Sequence, residues 1–244
     1  MRIFADYHTH TVYSHGKGTI RENVESARKK GLREIAICDH GPNHIGFGVK
    51  YKNFSKMRNE IDKLNKEFKD IKILMGVEAN IIGYDGRIDV DEKIIEMIDI
   101  LLVGFHFGAM PYSFGDIYKM FVLNNLAKIS TSLERKARYL NTKAVINAIN
   151  KYDIDLITHP GAKVDIDTLE LAKAASKRNT ALEINASHGQ LTLEYLKIAM
   201  KEDVKFMINS DAHTPKDVGN VKKGIERAFR ANLSVDRIIN AKES

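Results

Sequence analysis

Tryptophan is absent from this chain, cysteine occurs once and proline only four times in 244 residues. The single thiol, Cys38, excludes an internal disulfide and a cysteine-built structural zinc site, and it suits a reducing compartment. It ends the apolar run Glu34–Cys38, where a small buried side chain is expected rather than a nucleophile. No apolar run approaches the roughly 20 residues that span a bilayer, and no apolar leader precedes Arg2–His8, so a cytoplasmic protein without membrane contact is expected. Blocks of like charge are missing as well. The excess of 38 basic over 32 acidic residues gives +6 spread along the chain, a balance that favours anionic small molecules over stable nucleic-acid binding.

What the chain has instead is histidine placed where strands run out. Short aliphatic runs at Arg2–His8, Glu34–Cys38, Lys72–Val77, Asp99–Phe105, Asp155–Thr158, Thr180–Asn185 and Val204–Asn209 read as strands. Between them, helical periodicity covers Ile20–Lys30, Phe54–Phe68, Asp91–Ile98, Thr131–Lys151, Asp167–Arg178, Thr192–Lys201 and Val218–Arg230. Thr131 with Glu134 reads as a capping box, Ser55, Asp167, Thr192 and Asp217 as caps or near-caps, and Gly31 as a helix-ending glycine. Strict alternation of strand and helix predicts the α/β class with parallel strands. An open doubly wound sheet gathers ligands at one switch point. Here six strand ends contribute, which requires a ring: a seven-stranded (β/α)7 distorted TIM-like barrel with the site at its C-terminal mouth. Residues 1–244 are read as one domain, with a helical insertion around 107–130. Its Met110, Tyr112 and Phe114 mark it as a candidate substrate lid.

The candidate ligands are His8, His10, His15, His40, Glu78, His106, His159, Asp211 and His213. A zinc ion takes about three or four protein ligands, so nine point to several ions and to hydrolytic chemistry. Each histidine taken singly is as often a hydrogen-bonded structural residue as a ligand. Their joint placement beside turn residues, as in Ser14-His15-Gly16, Asp39-His40-Gly41 and His159-Pro160-Gly161, leaves packing with little to explain. Among the remaining residues, Asp6 is expected deeper in the barrel as an orienting group. His44 is expected in a solvated loop, and His188 near substrate. Lys50, Lys52 and Lys163 are candidate phosphate contacts, while Asn80 and Asn185 either meet an anion or complete turns.

The segments His8-Thr-His10, Cys38-Asp-His40-Gly-Pro42, Gly76-Val-Glu78-Ala-Asn80, Tyr84-Asp-Gly86, Gly104-Phe-His106, His159-Pro-Gly161, Leu182-Glu-Ile-Asn185 and Ser210-Asp-Ala-His213 resemble, in order, the PHP (polymerase and histidinol phosphatase) family, and within it the YcdX-type phosphatases. The likeness implies a seven-stranded barrel with three divalent ions, zinc first, with manganese or iron as alternatives. It implies that His8, His10, Glu78 and Asp211 hold one ion. Glu78 would bridge to a second ion with His106 and His159, and His15, His40 and His213 would hold a third. Glu78, Asp211 and His213 are the implied catalytic set, acting with a metal-activated hydroxide on small phosphomonoesters. The alternatives are a phosphodiesterase or nuclease, or a histidinol-phosphate phosphatase. Insertion length departs from the subgroup and bears on substrate choice.

Overall fold

A computed structural model describes residues 1–243. Its strands are β1 (Arg2–Ile3), β2 (Ala5–Thr9), β3 (Glu34–Ile37), β4 (Lys72–Asn80), β5 (Ile100–Gly104), β6 (Leu156–Ile157), β7 (Ala181–Asn185), β8 (Phe206–Asn209) and β9 (Ala241–Lys242). The helices are α1 (Ile20–Lys29), α2 (Tyr51–Glu67), α3 (Glu92–Ile95), α4 (Phe114–Ile117), α5 (Asn124–Leu126), α6 (Thr131–Lys151), α7 (Thr168–Lys177), α8 (Leu193–Ala199) and α9 (Lys222–Arg230). Strands β2 to β8 pair in sequence order, all in parallel. Each helix-bearing crossover then returns to the next position of a curling sheet. The result is the expected α/β barrel.

Two packed layers follow from the alternation of side chains along parallel strands. Ile35, Ile37, Ile73, Met75, Val103, Ile184 and Ile208 face outward into the larger apolar cluster, which also takes in buried residues of α1, α2, α6 and α7. Ala5, Tyr7, Ala36, Cys38, Leu102, Leu156, Ala181 and Met207 fill the interior. Farther along the same strands the inward positions turn polar, as Glu78 and Asn80 on β4 or Glu183 and Asn185 on β7. Hence the barrel has an apolar floor and a polar mouth. Cys38 lies in the floor with its thiol on the Tyr7 carbonyl at 3.2 Å, and burial pushes its pKa well up.

The ring closes between β2 and β8 by a different device. Among the described residues only Thr9 and Ala212 form a backbone bridge there, with His10 N donating to Ala212 O at 2.8 Å. Below it, side chains sew the seam. Tyr7 N donates to Asn209 Oδ1 at 3.0 Å, and Asp6 accepts from Ser210 N at 3.1 Å and Gly219 N at 2.8 Å. Asn240 donates to Ala5 O at 2.9 Å and Ile208 O at 2.7 Å. Asp6 is therefore a buried seam residue; it also accepts from the His8 N–H at 3.5 Å, so it steadies the ligand strand through the backbone without touching a ligand ring.

Several local expectations change. Arg2–His8 is broken at Phe4, whose N–H donates to Asn240 O, and β1 turns away to pair antiparallel with β9. Helix α6 is capped at Ser130 with no side-chain bond, so Thr131 and Glu134 form no capping box; the box is at Thr19 and Glu22, opening α1. Ser55 lies inside α2, which begins at Tyr51, and Asp217 sits in a 3-10 turn ahead of an uncapped α9. Asp167 and Thr192 do cap α7 and α8, and Gly31 ends α1 at φ +75. The insertion is a broken run: α4, a π-helical turn over Tyr118–Leu123, α5 and a 3-10 turn over Ala127–Ile129. No helix of the described residues is long and apolar enough to cross a membrane.

Candidate metal centre

All nine candidate ligands come together at the mouth. Glu78 sits on β4, next to its C-terminal end, and His40 pairs with it in a parallel bridge just past β3. His8 and His10 come from the end of β2, where the register slips between Asp6 and Thr9. The irregularity changes the phase of the strand, so that Tyr7 serves the apolar floor while His8 and His10 serve the site. His159 and Asp211, just past β6 and β8, hold φ values of +28 and +53. Side-chain-bearing residues take such conformations at a cost, and here it turns both side chains onto the shared centre. Gly104 makes room: a Cβ there would press into Thr158 and crowd the His106 and His159 rings.

Distances organise the donors around the two oxygens of Glu78. His8 Nε2 stands 3.1 Å from His10 Nε2, 3.4 Å from Glu78 Oε2 and 3.6 Å from Asp211 Oδ1. His10 Nε2 is 3.7 Å from Glu78 Oε2 and 3.3 Å from Asp211 Oδ1. Four donors about 2.1 Å from one ion in a tetrahedron stand roughly 3.4 Å apart, so this set has the edge lengths of a coordination shell. On the other oxygen, Glu78 Oε1 lies 3.2 Å from His106 Nε2 and 2.9 Å from His159 Nε2. A third group joins His10, His15 and His40. The His213 ring stands at 4.1 Å from that of His15 and 4.6 Å from that of His10. His40 differs from its implied grouping, because its Nδ1 is also 3.1 Å from Glu78 Oε2 and the residue clusters with Glu78 and His106.

The ring nitrogens are oriented from behind. His8 Nδ1–H donates to Glu183 Oε1 at 2.8 Å, His106 Nδ1–H to Asn80 Oδ1 at 2.7 Å and His213 Nδ1–H to the Asp211 carbonyl at 2.8 Å. In each case Nε2 keeps its lone pair for the centre. Glu183 also accepts from His159 N at 2.7 Å and from Asn185 Nδ2 at 3.0 Å, so one buried carboxylate fixes two ligand positions. Sequence reading passed over Glu183; its signal is an acid placed in phase with Asn185 on a strand otherwise apolar. Asn80 and Asn185 are consumed by this scaffold: Asn185 links Glu183 to Asp211 Oδ2 at 3.0 Å and accepts from the N–H groups of Ser187 and His188. Asp39 holds the loop of His15 by accepting from Thr11 N at 2.7 Å and from Ser14 Oγ.

Charge follows from burial and neighbours. Burial raises the cost of the Glu78 and Asp211 anions, yet the surrounding imidazoles outweigh it, His106 first for Glu78 and His8 first for Asp211, and both pKa values fall well below the ordinary range. Burial lowers His10 far below the usual histidine value, His15 to about 3 and His106 to about 4. Burial also opposes a charged His8, but Glu183, Asp211 and Glu78 overcome it and raise its pKa well above normal. Lone pairs and carboxylates thus converge on one point with too few protons to pair them. The buried Nδ1 atoms of His10 and His15 have no hydrogen-bond partner among the described residues, and His40 Nδ1, though 3.1 Å from Glu78 Oε2, is not aligned with it as a hydrogen bond. Such orphaned donors are costly unless something else satisfies them, and divalent ions fit this donor set.

Above the donors lies a cavity of about 470 Å3, whose lining includes His44, Phe47, Phe107, Gly108, Lys163 and His188. His44 is drawn into the site, stacked between His40 and Phe47 at 5.0 and 5.1 Å, instead of standing in solvent. Phe47, which also stacks on His15 at 4.5 Å, carries no signal in the sequence beyond its loop. His188 reaches Asp211 Oδ2 at 3.2 Å. Lys50 and Lys52 lie on the exposed start of α2, away from the cavity. Met110, Tyr112 and Phe114 do not line it either: Phe114 is 91% exposed and Tyr112 lies under the Arg87 guanidinium at 3.8 Å. The aromatic groups that do reach it are Phe47 and Phe107.

The PHP domain model matches residues 6–209, a stretch that holds seven of the nine donors. The chain belongs to the PHP domain family. It is 32% identical to a protein of Thermoanaerobacter sp. strain X514 named a probable phosphatase, across 98% of this chain and 91% of that one. It is 30% identical to the DNA polymerase/3'-5' exonuclease PolX of Bacillus subtilis, across 99% of this chain but only 40% of that longer protein. The fold is similar to that of histidinol phosphate phosphatase from Lactococcus lactis, solved with zinc, L-histidinol and phosphate, at TM-score 0.63, 17% identity and 94% of each chain. The enzyme class expected from the residues, a metal-dependent phosphoric-ester hydrolase, stands.

Proposed function

We propose that this chain is a phosphatase that hydrolyses small phosphomonoesters at a trinuclear divalent-metal centre. The observation that carries the reading is the convergence of imidazole and carboxylate donors on both oxygens of Glu78 at coordination-shell spacing. His8, His10, Glu78 and Asp211 would hold one ion, Glu78, His106 and His159 a second, and His15, His40 and His213 a third, with His40 able to serve the second instead. Bound there, divalent ions, zinc foremost, supply acidification of water and neutralisation of the phosphoryl oxygens.

The chain's own groups do the rest. Glu78 and Asp211, anionic at neutral pH, place negative charge between the cation positions while neutral imidazoles add none, so the centre stays attractive to a phosphate dianion. His213 is held by the Asp211 carbonyl with Nε2 directed away, which fixes the geometry at the cavity side. Lys163, without a hydrogen bond or ion pair among the described residues, offers a point charge to a phosphoryl oxygen. His188, 41% exposed and hydrogen-bonded to Asp211, is placed to hold a proton for the departing alkoxide.

The test is a screen of phosphorylated metabolites with protein reconstituted in zinc, manganese or iron, beside a dinucleotide diester. Monoester turnover that falls at least a hundredfold on chelation is expected. Turnover of the diester alone would replace this reading with a phosphodiesterase.

A further inference from the structure

A second cavity, of about 690 Å3, opens under the insertion that joins β5 to α6. It shares Phe107 and Lys163 with the metal-site cavity, and its separate part is walled by Phe121, Ala137, Glu134 and Asp165 among others. The two spaces are therefore adjoining chambers with one aromatic side chain and one cation on the common wall. Phe107 and Phe121 approach at a ring distance of 6.3 Å and a tilt of 38°, giving the chamber a continuous aromatic face. Its volume falls within the range of about 300–1,000 Å3 that holds small organic ligands.

Polar groups in the chamber are unevenly engaged. Lys163 forms no ion pair or hydrogen bond among the described residues, and neither does the Glu134 carboxylate. The Asp165 carboxylate meets Arg138 at 3.8 Å and the Ile166 N–H. Lys163 borders the donors, whereas the two carboxylates lie in the part not shared with them. An ester lying across the common wall would meet a cation near its phosphoryl end, aromatic surface along its body, and hydrogen-bond acceptors beyond.

Resting on the phosphatase reading, we propose that this chamber is the leaving-group pocket, and that the preferred substrates are monoesters of a ring-bearing alcohol whose far end donates hydrogen bonds. The insertion then selects substrate by building a pocket, in place of closing over the metal centre as a lid. Lys163 is a positioning residue that keeps the phosphoryl group in the metal chamber while the ring occupies the other.

Three aryl esters of similar leaving-group reactivity test it: phenyl phosphate, tyramine O-phosphate and the O-phosphate of 3-(4-hydroxyphenyl)propionate. In metal-replete parent protein, kcat/KM should rank tyramine phosphate above phenyl phosphate and the carboxylate-ended ester last. Ala137→Phe, which fills the chamber, and Phe121→Ala, which removes its aromatic wall, should each lower the tyramine-to-phenyl ratio at least fivefold. Glu134→Gln should narrow the gap between the amine- and carboxylate-ended esters. Calorimetric titration with tyramine itself supplies a readout independent of turnover: binding to the parent, at least fivefold weaker in both chamber variants, is expected. Unchanged ratios with phenyl phosphate still hydrolysed would overturn the pocket and leave the phosphatase standing. If no monoester is turned over, the phosphatase reading falls, and equal tyramine affinity in all proteins, or none in any, overturns the pocket as well.

Discussion

Glu183 shows how one residue governs the site without facing the substrate. Its carboxylate receives His8 Nδ1–H and the His159 N–H at 2.8 and 2.7 Å, so it fixes a tautomer at one candidate ligand and the strained backbone of another. A glutamine would keep the shape but turn an N–H group toward one of these donors. Glu183→Gln should lower metal affinity and kcat/KM by about 10–100-fold, measured by metal titration beside turnover. Unchanged affinity would assign Glu183 to barrel packing alone. This contact was invisible in the sequence for a physical reason. An acid within a strand reads as an edge or surface position until the barrel closes, whereas His8, Glu78 or His106 announce themselves by lying at strand ends beside turn residues.

At the level of elements, the strand-end loops are clamped by buried polar side chains. Asp89 joins two of them, accepting from Asn80 N at 2.7 Å and Asn43 N at 3.0 Å. Burial raises its pKa from 3.8 to about 6, against the hydrogen bonds from Asn80 and Asn43. A carboxyl group with a raised folded-state pKa contributes stability below its unfolded value and loses it as pH rises through the folded one. Across the titration, from pH 3 to pH 7, the parent should therefore lose about 3 kcal/mol relative to Asp89→Asn. Thermal melts of both proteins with chelator present check this; a Tm difference independent of pH would contradict it. Strand and helix order was legible because the apolar periods are strong. Caps were less so: Thr131 with Glu134 and Thr19 with Glu22 fit one pattern equally, and only the second pair closes, since α6 takes Ser130 as its cap. The insertion's apolar residues were visible, but which of them turn toward the mouth depends on packing. Phe107 does, whereas Phe114 points to solvent.

For the whole molecule, the ring itself is the functional device, since donors from residue 8 to residue 213 meet only if β2 and β8 close. That closure rests on Asp6, Asn209 and Asn240 in place of a backbone ladder. A barrel was inferable from the number of strand ends carrying ligands, yet its seam was not, because single polar residues at distant positions carry no periodic signal. The proposed centre holds several ions around Glu78. Metal content per chain, measured on reconstituted and desalted parent and Glu78→Gln proteins, tests it most directly. About three divalent ions, and no fewer than two, are expected in the parent, because nine donors exceed the three or four that one ion uses, with more than one ion lost in the variant. A single ion or none in the parent, or the same count in both proteins, would contradict the account.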